Sequence, residues 1–240
     1  MISFVRAFTV PKRDSTPNED RHAKSVDGRA CAVSDGASVS FDSGPWAEIL
    51  AQGFVDGASF TTAWLKNAAS AYEAGYDRES LDWMQQGALD RGSFASLLGV
   101  LPASMAGSIE VLAVGDSMLA ILDAGELQQT LPYTRPEEFD ASPQLLSTSA
   151  AENEPLFRGA EAIQTEVIDL HPYVAPCLLL VTDALGHWLL SHPERAHELT
   201  SKLSEQEFEE FIVTERQAGR LRRDDTTLLI MDRDVSPNSH

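Results

Sequence analysis

Apolar positions along the 240-residue chain fall into two kinds of run. Continuous or loosely alternating stretches read as strands: Ile2 to Val10, Arg29 to Asp35, Phe94 to Pro102, Ser108 to Val114, Met118 to Asp123, Pro176 to Thr182 and Thr226 to Met231. Between Asp35 and Arg91 the spacing turns helical and predicts three helices, striped by Trp46, Ile49, Leu50 and Phe54, then Trp64, Leu65, Ala68 and Tyr72, then Leu81, Met84 and Ala88. A further helix is announced by Ser204 with Glu207, a capping box ahead of Phe208, Phe211 and Ile212, and Gly219 ends it. The three central strands, joined by short connections such as Pro102 to Gly107, read as an antiparallel meander. Residues 128–170 are polar, irregular and punctuated by Pro132, Pro136, Pro143 and Pro155, and predict no regular element. Blocks of strands alternating with blocks of helices indicate antiparallel sheets covered by helices, a layered α+β architecture.

Composition narrows the class. No linker or internal repeat interrupts the chain, so residues 1–232 are expected to form one domain, with 233–240 as a disordered tail. Thirty-seven acidic against 18 basic residues give a net charge of −19, which disfavours nucleic acid and anionic membrane as partners, because both demand Lys and Arg patches. Met1 to Val10 lacks a signal-peptide core, and no run approaches the roughly 20 apolar residues that span a bilayer, so a cytoplasmic protein is expected. Cys31 and Cys177 sit in strand-like runs and are expected to be reduced core residues. The six histidines show no zinc-ligand spacing, and phosphate-loop and Gly-x-Ser-x-Gly patterns are absent. Oligomeric state is not legible.

Acidic residues recur where the strand-like runs end. Asn18-Glu19-Asp20 precedes one, Asp35-Gly36 closes it, Gly115-Asp116 and Asp183 follow others, and Asp224-Asp225 opens the last. Carboxylates gathered at one end of a sheet core repel by about 4 kcal/mol per pair at about 4 Å and an effective dielectric near 20. Bound cations relieve that conflict, and such an oxygen-only set suits hard ions such as Mg²⁺ and Mn²⁺.

Taken in order, these segments resemble the protein phosphatase 2C family of metal-dependent Ser/Thr phosphatases. The likeness runs through Asn18-Glu19-Asp20, Val33-Ser34-Asp35-Gly36, Gly92-Ser93-Phe94-Ala95, Gly115-Asp116-Ser117, Val181-Thr182-Asp183-Ala184-Leu185 and Asp224-Asp225-Thr226-Thr227. It implies a four-layer αββα sandwich with a metal site at one sheet end. It also implies that Asp35 bridges two Mg²⁺ or Mn²⁺ ions, that the Gly36 carbonyl ligates one of them, and that Asp183 and Asp224 complete the set. Glu19 would hold metal-bound water, Asp20 would support the site, and Asp225 would act as a strand-start partner. A third ion in many relatives implies Asp90 as a further ligand beside Asp183. The Gly115-Asp116-Ser117 turn is expected to be structural, and a substrate-touching flap to lie within Thr134 to Arg158. The implied activity is hydrolysis of phosphoserine or phosphothreonine in a phosphorylated protein by a metal-activated water, without a covalent phosphoenzyme.

Several positions depart from the pattern. Ser15 stands where the family usually has a phosphate-contacting Arg, with Lys12 and Arg13 slightly upstream, so that cation is either displaced or missing. Asp35-Gly36-Ala37-Ser38-Val39 lacks two later glycines, and Ala37 cannot supply an acid; His187 is the one nearby candidate, more in keeping with a packing role. These departures keep two alternatives open: a weak or inactive relative acting as a phosphoprotein-binding regulator, and a phosphatase of a small phosphorylated metabolite.

Overall fold

The computed structural model describes residues 2–13, 15–201 and 204–233. The segment expected to be a disordered tail, 233–240, lies outside the described residues apart from the backbone of Arg233. Two five-stranded antiparallel sheets form the centre. The first runs in the order β1 (Ile2–Val10), β12 (Thr226–Arg233), β11 (Pro176–Val181), β7 (Met118–Asp123), β8 (Glu126–Leu131). The second runs β10 (Glu166–Asp169), β6 (Ser108–Val114), β5 (Leu97–Pro102), β3 (Cys31–Ser34), β2 (Arg21–Lys24). A short pair, β4 (Phe94–Ala95) with β9 (Leu146–Ser147), stands beside them.

The period-two alternation of the strands builds three hydrophobic layers. Leu178, Leu180, Leu229 and Met231 of the first sheet meet Val33, Leu98, Val100 and Val111 of the second in the inter-sheet core. Their neighbours Leu179, Val181, Leu228 and Ile230 face outward, under α5 (Asp183–Ser191), α6 (His197–Thr200) and α7 (Glu205–Gln217). On the opposite side Ala32, Leu97, Leu112 and Val114 lie under α1 (Ser43–Val55), α2 (Thr62–Glu73) and α4 (Ala150–Phe157). The result is the expected αββα sandwich.

Four details depart from expectation. The central strands are not one meander: β6 and β7 belong to different sheets, and Gly115 to Ser117 crosses between them. Gly115 takes φ +93°, and a Cβ there would stand 2.7 Å from the Cβ of Ser96, so the crossing needs a glycine. Helix α3 (Trp83–Arg91) begins after Leu81 and leaves Met84 exposed; among its residues Leu89 is the buried one, because the Asp82 capping box with Gln85 sets its start. Ser96 interrupts the stretch from Phe94, which becomes β4 and β5. Finally, residues 128–170 are regular: they include most of β8, a 3₁₀ turn at Pro136–Asp140, β9, α4 and β10.

Both cysteines are free; Cys31 is buried with its Sγ 3.0 Å from Met231 Sδ, and burial pushes the Cys177 thiol up to about 12. Among the described residues no helix is long and apolar enough to cross a membrane.

Candidate active site

Strand direction brings the candidate acids together. β3, β6 and β11 end, and β12 begins, at the same edge of the sandwich, so Asp35, Asp116, Asp183 and Asp224 converge although they are distant in sequence. Asp35 is held by its backbone: its N–H donates to Ser96 Oγ (3.0 Å), its carbonyl accepts from the Ser96 N–H (2.8 Å), and Ser96 Oγ contacts Ser117 Oγ at 2.7 Å. Gly36 bridges to Ala95 and packs so tightly that a Cβ would sit 2.7 Å from Ser43 Oγ and 3.0 Å from the Glu19 carbonyl. Any side chain there would force the end of β3 away from the start of α1.

Asp183 opens α5, where a carboxylate suits the helix N-terminus, and its Oδ1 accepts the Ala184 N–H at 2.5 Å. Asp224 is fixed through its backbone, since Arg216 donates to the carbonyls of Asp224 and Pro11 and to Thr226 Oγ1. Asp20 is buried. Its Oδ2 accepts from Thr182 Oγ1 (3.0 Å), which in turn accepts the Thr227 N–H (3.0 Å), while its Oδ1 has no hydrogen-bond partner.

The electrostatics of this group are unfavourable without a counter-charge. Burial raises the pKa of Asp35 well above the carboxylate range, and the charges of Asp20, Asp183, Asp116 and Asp224 raise it further. Burial and then Asp116, Asp224 and Asp20 push Asp183 up to about 8. Burial carries Asp20 to about 7, with Asp225 adding to the effect, and burial with Asp224 raises Asp116. An all-oxygen set of mutually repelling carboxylates, with one buried oxygen unpartnered, fits hard divalent cations in chemistry. Among the described residues no three His, Cys, Asp or Glu side chains close around a single point, so enclosing an ion requires side-chain movement.

Glu19 lies beside this group. Its Oε2 accepts from Lys12 Nζ (2.7 Å) and Ser38 Oγ (2.5 Å), and its Oε1 from Ser43 Oγ (2.9 Å). Burial opposes its charge, yet those three donors hold its pKa below the usual value. Asp225 is a clasp: Oδ1 accepts the Lys12 N–H (2.6 Å) and Oδ2 the Glu19 N–H (2.7 Å). The segment from Lys12 to Glu19 is thereby tied to the start of β12.

Asp90, the implied further ligand, stands elsewhere, and His187 has the packing role its position suggested. Asp90 sits exposed on α3 in an ion pair with Arg78 at 2.6 Å, and it is not among the acids that most raise the pKa values of Asp35 and Asp183. A neighbouring cation already answers its charge. His187 packs against Phe139 (ring centroids 6.2 Å apart), and burial lowers its pKa, as a packing residue. In turn, Asp116, assigned to a structural turn, joins the acids, and Lys12 supplies a cation that spacing alone did not place. Asp116 carries the same signal as Asp35 and Asp183, an acid directly after a buried strand.

No protein-family model matches the chain, and no curated protein does. Solved structures do. The serine/threonine phosphatase Stp1 from Staphylococcus aureus matches with a TM-score of 0.61 at 13% identity, covering 98% of this chain and 96% of that one. A bacterial serine phosphatase matches with a TM-score of 0.60 at 13% identity over 96% and 97%. The catalytic domain of the serine threonine protein phosphatase PstP, in complex with two manganese ions, matches with a TM-score of 0.55 at 15% identity over 96% and 98%. Over essentially its whole length, the chain has the αββα fold of these bacterial Ser/Thr phosphatases.

Proposed function

We propose that the protein is a metal-dependent phosphatase of the protein phosphatase 2C type, hydrolysing phosphoserine or phosphothreonine in proteins. The observation that carries the reading is the convergence of Asp35, Asp116, Asp183 and Asp224 at one sandwich end, where burial and neighbouring acids raise the pKa values of Asp35, Asp116 and Asp183. Folding such a group together costs free energy that a structural role does not explain. Asp35, Asp183, Asp224 and the Gly36 carbonyl would hold two Mg²⁺ or Mn²⁺ ions, as the manganese-bound PstP domain suggests by analogy of fold. Such ions, when bound, offset the carboxylate charge and make water a competent nucleophile toward phosphorus.

The protein's own residues do the positioning. Asp20 anchors the ends of β11 and β12 through Thr182, and Arg216 and Asp225 fix the backbone on either side of Asp224. Lys12, whose charge is opposed by burial but favoured more strongly by Glu19, Asp225 and Asp224, is the cation placed to meet a phosphate dianion. Ser38, bonded to both Lys12 and Glu19, orients that pair.

The test is hydrolysis of p-nitrophenyl phosphate and of a phosphothreonine peptide with Mn²⁺, Mg²⁺ or chelator, alongside Asp35→Asn and Asp183→Asn. Turnover that needs metal and both aspartates supports the reading. Metal-independent turnover, or none with any phosphorylated substrate, contradicts it, and phosphopeptide binding without turnover favours the regulator alternative.

A further inference from the structure

At the end of the sandwich opposite the acidic cluster, the two sheets part. A cavity of about 490 Å³ opens between the ends of β5 and β12 and the beginnings of β6 and β11. Its walls include Val100, Ile109, Leu170, Leu178 and Met231, residues that continue the inter-sheet core. A volume of this size matches small-molecule sites, which are apolar with a few placed polar groups.

The mouth is basic. Arg29 and His171 line it, and among the described lining residues there is no Asp or Glu, although the chain carries 37 acidic residues. Arg29 is half exposed and lies a long 3.7 Å from exposed Asp27. Asp169 engages His171 Nδ1 at 2.6 Å, and the ring lies over Gly107, where a Cβ would be 2.4 Å from Cε1; the ring is thereby fixed with Nε2 unengaged by Asp169. Ser108, also in the wall, is 6% exposed, and its hydroxyl has no hydrogen-bond partner. Met105 of the lining is 62% exposed, and Val26 and Val174, in the loops that carry Arg29 and Tyr173, are 111% and 82% exposed, large apolar groups left to water. Apolar groups around a concave, cation-bearing mouth mark a binding site more than a solvated surface.

We propose that this inter-sheet cavity binds a small amphiphilic carboxylate, its acyl chain between the sheets and its head group on Arg29 and His171. The Arg29 guanidinium offers a planar fork that matches a carboxylate, and the nearest acids, Asp27 beside Arg29 and Asp169 beside His171, stand outside the cavity lining. The cavity is separate from the acidic cluster, so the inference does not depend on the proposed phosphatase activity.

The experiment is calorimetric titration of the full chain, in chelator, with decanoate and with uncharged decan-1-ol as probes, on the unmodified protein, Arg29→Glu and Ala103→Phe. Saturable one-to-one decanoate binding is expected, weakened about tenfold or more by Arg29→Glu, as loss of a charge-assisted hydrogen bond implies, with decan-1-ol binding little changed. Ala103→Phe, which narrows the cavity, weakens both probes. Arg29 is a surface residue, so that variant remains informative if Ala103→Phe does not fold, as circular dichroism reports. Absence of saturable decanoate binding, or equal binding of decanoate by the unmodified protein and Arg29→Glu, overturns the proposal.

Discussion

The adjacent residues Asp224 and Asp225 have opposite roles in this account, and substituting them separately exposes the difference. Asp225 is 3% exposed, and its two oxygens each accept one backbone N–H, from Lys12 at 2.6 Å and Glu19 at 2.7 Å. Hydrogen bonds to a charged acceptor contribute about 1.5–3 kcal/mol each, so the pair sums to about 3–6 kcal/mol. Lys12 and Glu19 are only half-buried, and water that reaches their amides after truncation recovers part of this. Asp225→Ala is therefore expected to cost about 2–4 kcal/mol, or about 6–12 °C in Tm for a chain of this size. Urea unfolding in chelator measures the first quantity and differential scanning calorimetry the second. Asp224→Asn removes a repelling charge and keeps the backbone held by Arg216, so metal-free stability should hold or rise. Its Mn²⁺ affinity should fall by roughly tenfold or more, while Asp225→Asn stays within a few-fold of the unmodified protein. A cost below about 1 kcal/mol for Asp225→Ala, or equal metal defects in the two variants, refutes the division of labour.

The metal-free protein should lose stability as pH rises from about 5 to 8. Asp20 and Asp183 are raised from the ordinary carboxylate value to about 7 and about 8, so the folded state holds protons that the unfolded state has released, and stability present at low pH is lost as pH climbs through those values. Urea midpoints at the two pH values check the sign, and a shallower pH dependence in Asp183→Asn than in the unmodified protein attributes it; a midpoint that rises with pH contradicts it. Arg216→Ala frees the Asp224 and Pro11 carbonyls and is expected to weaken Mn²⁺ binding by about tenfold, while Arg216→Lys restores part of the loss; an unaltered affinity in Arg216→Ala removes Arg216 from the positioning set. Lys12→Met should raise KM for a phosphopeptide by about tenfold with a smaller effect on kcat, and unchanged KM would dismiss Lys12 as the phosphate-contacting cation.

Where burial on both faces made a strand apolar throughout, as in Leu178 to Val181 and Leu228 to Met231, the sequence alone disclosed it, and the acids that follow or precede such runs came with it. Edge strands were hidden for the same reason reversed. Glu126–Leu131 and Glu166–Asp169 each pair with one neighbour and face solvent widely, so neither carries an apolar run. Helix α4 buries only Asn153 and Phe157 and contains Pro155, which leaves it almost no stripe. The crossing at Gly115 defeated the meander reading because adjacency in sequence says nothing about which sheet receives the next strand. Lys12 was legible only as one of two cations upstream of the expected place, for a related cause. Its position depends on the clasp from Asp225, 213 residues away, and no local spacing encodes such a contact. Asp90 was the acid nearest the expected place, one residue off the spacing, and on α3 it faces Arg78.

The central claim is that one end of the sandwich exists to hold hard cations. Isothermal titration of Mn²⁺ into chelator-stripped protein, repeated on Asp35→Asn, Asp183→Asn and Asp224→Asn, tests it most directly. The account predicts saturable binding of two ions to the unmodified protein, with each substitution removing at least one of them. Undetectable heat in the unmodified protein, or three variants that bind as it does, would contradict it.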